Sequence, residues 1–320
     1  MLDINVWSDM KLFIEHEEDI TGKMKFIGKL IPELEKLGVK IVPKNVPADI
    51  CLALTHFRGK FKGPRVIRID GVHFTNDKHS SWNNGRMRDD IKKSKAVIYQ
   101  SPWCKLMGNK ILKFKHKREY VIFNGANPDD YKIAVEMEDT PHILMSANWK
   151  GKIHKRLKEM CDIAAECPQY NFWVAGRHEM ELKAAPNITQ LGHLDEEDLR
   201  GYISGADVMF NLAYYDWCPN AVVECLVAGL PVVYADGTGL GDLVGKSGVK
   251  VTDSSPKPKL ITVKKASHKH IRVKPPKIDY EEAKRAIAKA LGMPRIHRPD
   301  LHVSTIAKQY HKVFKDVLNG

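Results

Sequence analysis

DWCPNAVVECLVAGLPVV, residues 216–233, decides how the rest of the chain is read. Between Asp216 and Asp236 the only charged residue is Glu224, set in an almost wholly apolar run. An ionised carboxylate in such surroundings needs a partner, either inside the protein or on a polar ligand. Pro219 suits the first turn of a helix and Gly229 the position just past its end, which predicts a helix over Pro219–Ala228. The N–H groups at such a helix start favour an anion such as a phosphate. Asn220 and Ala221 stand at that start, and Asp216 and Glu224 flank it with seven residues between them. Two carboxylates so placed suit the hydroxyls of a sugar nucleotide. The alternatives are that Glu224 pairs with a buried Arg or Lys, and that Asp216 only caps the helix.

Outward from this stretch, strand and helix patterns alternate, which predicts an α/β protein with parallel sheets. INVWS, VKIV, ICLAL, RVIRID and AVIYQ read as short strands of a first half, with a helix in MKFIGKLIPELEKLG ending on Gly38. The polar run NGANPDDYKIAVEMEDT from Asn124 suits a connection. In the second half HILMSA, YNFWVAG, DVMFNL and PVVYAD read as strands, while KRLKEMCDIAAEC and EEDLRGYISGA read as helices. NDKHSSWNNGRMRDD is too polar to assign, and the Lys/Pro-rich residues 252–278 read as an irregular loop. HVSTIAKQYHKVFKDVL, at the end, is an amphipathic helix. The expected division is 1–124 with the closing helix 302–320 as one domain and 125–301 as the other, with a ligand cleft between them.

Length and charge bound the function. A chain of 320 residues suits two domains of ordinary size. No apolar run reaches the ~20 residues a bilayer span requires, and MLDINVWSDM does not resemble a secretory signal, so a cytoplasmic location is expected, with peripheral contact to an anionic membrane surface left open. The six cysteines lack zinc or CxxC spacing and suit buried reduced thiols. The net charge of +12 admits phosphorylated small molecules, nucleic acid or an anionic membrane surface. Lys110–Arg118 and Lys257–Lys277 concentrate this charge, and a solvated face is the commoner explanation for either run.

The segment from Asp216 resembles the E-x7-E signature of retaining glycosyltransferases of the GT-B fold, family 4, with Asp in place of the first Glu. VAGLPVV is similar to the family's next run, and GTGLGDLV with Asp242 to its Gly-rich acidic loop. VIFNGANPDDY resembles the interdomain connector, and ITQLGHLDEEDLRGYISGADVMFNLA the strand, helix and strand before the signature. HVSTIAKQYHKVF resembles the closing helix that returns to the first domain. The resemblance implies two Rossmann-like domains facing a cleft, and transfer of a hexose from a nucleoside diphosphate sugar to a glycan, lipid or other hydroxyl with retention.

Carried over, Asp216 contacts the donor sugar and Glu224 the ribose. A basic pair on the loop SANWKGKIHKRL neutralises the diphosphate: Lys155 fits best, Lys150 is the second, and Lys152 and Arg156 stay open. Gly176 and Arg177, Asn220 and Ala221, and Gly22 in TGKMKF complete the donor-side residues. Asp70 occupies the place of a sugar-contacting His, with His73 three residues on, and Ser101 is an acceptor-side candidate. No DxD triplet or His/carboxylate cluster appears, so neither metal nor other cofactor is expected, and the lysines would do the work of a cation. A sugar-nucleotide epimerase of similar build, or a basic nucleic-acid or anionic-surface binding protein, is the competing reading. No nucleic-acid module is recognisable.

Overall fold

The structure is a computed structural model that describes residues 10–15, 22–75, 77–132, 139–236, 239–253 and 275–320. It divides into two compact units. The first takes the described residues through Ala126 together with Asp300–Gly320, and the second runs from Asn127 to Pro299.

The first unit is built on a parallel six-stranded sheet of order β2-β1-β3-β4-β5-β6. The strands are β1 (Met10–Glu15), β2 (Val39–Ile41), β3 (Ile50–Leu54), β4 (Arg65–Ile69), β5 (Ala96–Tyr99) and β6 (Glu119–Val121). Strands β3 and β5 are buried throughout, which is why they read as continuous apolar runs. Helix α1 (Gly22–Glu35) connects β1 to β2, and Gly38, at φ 83°, turns the chain out of it. The C-terminal helix α9 (Val303–Leu318) packs on α1, and its Ile306, Tyr310, Val313 and Phe314 complete the same core. The closing helix thus returns to the first unit. Helices α2 (Lys78–Lys93) and α3 (Pro102–Leu112) make the crossovers β4–α2–β5 and β5–α3–β6. These advance across the sheet in the direction opposite to β1–α1–β2, so right-handed connections place α2 and α3 on the other face.

Several elements differ from expectation. INVWS lies outside the described residues, and the first described strand is Met10–Glu15. The unassigned polar stretch is α2, whose buried positions are Ser80, Asn84, Met87, Asp90 and Ile91. Three of those five are polar, which erases the apolar period, yet the tertiary structure satisfies them. Asn84 hydrogen-bonds the backbone of His73 in both directions, at 3.0 and 2.7 Å, and Asp90 accepts from Phe57 N at 3.1 Å.

The second unit has a parallel sheet of order β12-β11-β10-β7-β8-β9. Its strands are β7 (His142–Ser146), β8 (Asn171–Ala175), β9 (Ile188–Gly192), β10 (Val208–Asn211), β11 (Val232–Ala235) and β12 (Gly248–Val251). Its helices are α4 (Leu157–Ala165), α5 (Glu196–Gly205), α6 (Asn220–Val227), α7 (Gly239–Val244) and α8 (Tyr280–Leu291). Helix α4 starts two residues later than its sequence pattern, because Arg156 sits at φ 56° and breaks the run. Of the Lys/Pro-rich segment, residues 254–274 lie outside those described. All six cysteines are free and buried.

Candidate functional site

The chain enters the second sheet at β7, advances to β8 and β9, then returns to place β10 on the other side of β7. The loops after β7 and β10 therefore diverge above the carboxyl edge of the sheet, the usual ligand position in open α/β sheets. Most of the charged groups expected on the donor side stand on these two loops and on the helix that follows β10.

The loop after β7 is fastened at both ends. Trp149 is buried, its N–H donates to Arg177 O at 3.0 Å and its Nε1 to Ala175 O at 3.3 Å. Gly176 adjoins it at φ 131°, where a Cβ would lie 1.8 Å from Ala147 O. Arg177 keeps an exposed guanidinium beside this seam. At the far end Arg156 is fully buried and grips both carboxylate oxygens of Asp253, at 2.8 and 3.1 Å. It also donates to Leu212 O at 2.9 Å and Pro276 O at 3.0 Å. Arg156 thus ties the β7 loop to the chain after β10 and β12 and has no reach left for a ligand. Breaking such a buried pair from one side costs about 3–5 kcal/mol.

Between these anchors stand the lysines. Lys155 Nζ lies 2.9 Å from Asp216 Oδ2, with the two side chains only 14% and 12% exposed. The other oxygen of Asp216 accepts from Trp217 N at 2.9 Å. Lys152 is half-buried, and among the described residues no carboxylate comes within ion-pair distance of it. Burial lowers its pKa, the charge of Lys155 lowers it further, and Asp216 opposes both. Burial also pushes His154 down to about 4, with Lys155 adding, so its imidazole is neutral at pH 7. Two amines with a single shared carboxylate leave a local excess of positive charge. Lys150 differs: it is 58% exposed and paired with Glu179 at 2.7 Å. Lys152 and Lys155 are thus the two amines of this loop that are withdrawn from water and electrostatically coupled, a distinction that depends on burial and was open from spacing.

Helix α6 begins one residue later than expected, with Pro219 as its N-cap and no side-chain cap hydrogen bond. Asp216 therefore does not cap it. The helix buries Val222, Val223, Cys225, Leu226 and Val227, while Glu224 lies on its less buried side together with Asn220 and Ala221. The carboxylate embedded in an apolar sequence is thus only partly withdrawn from water. Its charge reaches Tyr131, whose phenol pKa is raised by burial and then by Glu224, and Cys225, raised the same way. Tyr131 ends the short 3-10 turn Pro128–Tyr131. Sequence reasoning did not single it out, although it is the aromatic of the connector-like run.

On the first unit, Asp70 pairs with the fully buried Arg68 at 2.6 Å, and its carbonyl accepts from Gln100 Nε2. Arg68 also donates to Asn124 Oδ1 at 2.6 Å. His73 lies on the loop after β4, its pKa lowered by burial and by His79, whose ring is 5.8 Å away. Ser101 is fully buried and its Oγ caps α3, accepting from Cys104 N at 3.0 Å. Gly22 is the first residue of α1. Among the described residues no group of three His, Cys, Asp or Glu is arranged to hold a metal ion, and no helix is long and apolar enough to cross a membrane.

Residues 141–261 match a family model described as glycosyl transferases group 1. No curated protein matches the chain. Among solved structures the chain is similar to sucrose-phosphate synthase from Thermosynechococcus elongatus, with a TM-score of 0.71 and 13% identity over 97% of this chain and 99% of that one. It is similar also to Anabaena HepE in complex with UDP and glucose, at a TM-score of 0.65 and 13% identity, covering 96% and 99%. WaaG, a glycosyltransferase involved in lipopolysaccharide biosynthesis, gives 0.63 and 13%, covering 95% of each chain. At such identity the likeness concerns the fold, which is GT-B: two Rossmann-like parallel sheets and a returning C-terminal helix.

Proposed function

We propose that the protein is a retaining glycosyltransferase that moves a hexose from a nucleoside diphosphate sugar to an acceptor hydroxyl without a metal ion. The observation that carries this reading is the Lys155–Asp216 pair at the switch point of the second sheet, with Lys152 beside it and an uncapped helix start following. When the bond from the anomeric carbon to the diphosphate breaks, the electron pair stays on the leaving oxygen. Lys152, Lys155 and the N–H groups of Asn220 and Ala221 are the groups offered to that growing charge. Asp216 is held in place by Lys155 and takes the sugar, and Glu224 takes the ribose hydroxyls. Arg177, beside the same seam, and Lys150 serve the outer donor contacts, and Gly176 and Gly22 contribute backbone. On the first unit Asp70 is the candidate in the place of a sugar-contacting residue and His73, on the same loop, the acceptor-side candidate, with Ser101 fixing the helix nearby.

Because Anabaena HepE is also solved in complex with UDP-glucose, that compound is the first donor to try. The test is a melting-temperature panel of nucleoside diphosphate sugars, because a ligand that binds only the folded state raises stability by mass action. One nucleotide should stand out, and it should do so without added metal. A flat panel would overturn the reading. Product analysis with the responding donor then separates transfer from epimerisation.

A further inference from the structure

One dense run of positive charge lies in the first unit. Residues 78–118 hold twelve Lys and Arg against two Asp, a net +10. These residues form α2, β5 and α3 and the turn after α3, and both helices lie on the same face of the first sheet. Lys92 Nζ, at the end of α2, sits 5.8 Å from the ring of Phe114 just past α3, so the two helices are neighbours.

Helical spacing puts Lys78, Trp82, Arg86, Asp89 and Lys93 on one stripe of α2, opposite its buried Asn84, Met87 and Ile91. Trp82 is 62% exposed, with the Arg86 guanidinium 5.8 Å from its ring, and Leu106 on α3 is 46% exposed. They are two of the three large exposed hydrophobics among the described residues. The exposed acid of the face, Asp89, has Arg88 at 3.8 Å and Lys92 at 3.9 Å. Asp90 is buried, and the side chain of Glu119, at the end of the run, is withdrawn against Lys105 at 3.2 Å.

From this arrangement we propose that the outward face of α2 and α3 docks on an anionic phospholipid bilayer. Lysine and arginine draw the surface to negative headgroups, and each contributes about 1 kcal/mol near such a membrane. An exposed indole is suited to the headgroup level, and an exposed leucine to the acyl boundary just beneath. A nucleic-acid backbone would use the same cations but has no use for Leu106, and that decides between the two partners. Such docking is independent of the reaction assigned to the second unit.

The test is co-flotation of the full chain with vesicles of phosphatidylcholine plus phosphatidylglycerol, and with vesicles of phosphatidylcholine alone. The mixed vesicles should carry the protein up at low salt, the neutral ones should not, and added salt should release it. Lys93→Glu with Lys110→Glu should weaken partitioning by about tenfold or more. Trp82→Ser with Leu106→Ser should weaken it while leaving the salt dependence in place. All four side chains are exposed, so melting temperatures should stay at the unsubstituted value and confirm that the variants fold. Failure of the mixed vesicles to capture the protein would overturn the proposal. So would equal capture of folded variants, or tight, salt-dependent binding to duplex DNA with no capture by lipid.

Discussion

Asp216 holds Lys155 through Oδ2 and the N–H of Trp217 through Oδ1, so Asp216→Asn removes one charge while nearly preserving shape. It also releases Lys155 toward a diphosphate. Nucleotide affinity should therefore hold or improve while turnover falls by about tenfold or more, at ~1.4 kcal/mol per decade. Normal turnover per folded molecule would remove Asp216 from the chemistry. His154, electrostatically beside Lys155, gives a pH signature. Its pKa falls from the ordinary 6.5 to about 4, chiefly through burial. As pH drops below 6.5 the unfolded chain takes up a proton that the folded chain refuses until about 4, so stability declines across that window by up to about 3 kcal/mol. Denaturant midpoints at pH 7 and pH 5 should diverge more for the native chain than for His154→Gln; equal acid losses would contradict this. At this scale the sequence was partly readable. Asp216 and Glu224 stand out as candidates by their spacing around a helix start, and Lys155 as a candidate only through the family resemblance. The choice of Lys152 over Lys150 that we propose was not legible, because it depends on which amine the Trp149 turn withdraws from water, and Tyr131 depends on a turn far away in sequence.

The loop after β7 owes its shape to contacts that no local pattern encodes. Its backbone is zipped to the end of β8 by Ala147 N to Ala175 O at 3.2 Å and Trp149 N to Arg177 O at 3.0 Å. Gly176 lies inside this zipper, where a Cβ would meet a backbone oxygen at 1.8 Å with φ at 131°. Nothing there can yield as a flexible side chain would. Gly176→Ala should cost about 2 kcal/mol or more and push Lys152 and Lys155 out of place. Denaturation and nucleotide calorimetry on the same variant check it, and unchanged diphosphate affinity would free the site from this loop. Elements with apolar periodicity, such as β3, β5, α1 and α9, were legible in the sequence. Helix α2 was not, since its inward Ser80, Asn84 and Asp90 are satisfied by the loops after β3 and β4 and by its own N-cap. The periodicity of α4 overruns its true start because Arg156 adopts a left-handed conformation to reach Asp253.

On the scale of the whole molecule, alternation of strands and helices foretold parallel sheets in two halves, and the C-terminal pattern foretold an amphipathic helix, whose return to the first half came only from the family resemblance. What composition could not foretell is the division of labour in its charge. The excess of +10 over residues 78–118 lies on two helices of the first unit and on the turns that follow them, while the cations proposed to hold the donor are few and partly buried in the second. A surface excess and a withdrawn pair look alike in a sum of lysines. They differ in what they bind, and calorimetry reaches the withdrawn pair directly. The decisive titration compares the native chain with Lys152→Ala plus Lys155→Ala, using the nucleoside diphosphate that raises the melting temperature most and its bare nucleoside. The native chain should prefer the diphosphate by about tenfold or more, and the double variant should lose this preference while still binding the nucleoside. Equal losses for both ligands in a folded variant, or no preference in the native chain, would refute the basic pair as the diphosphate site.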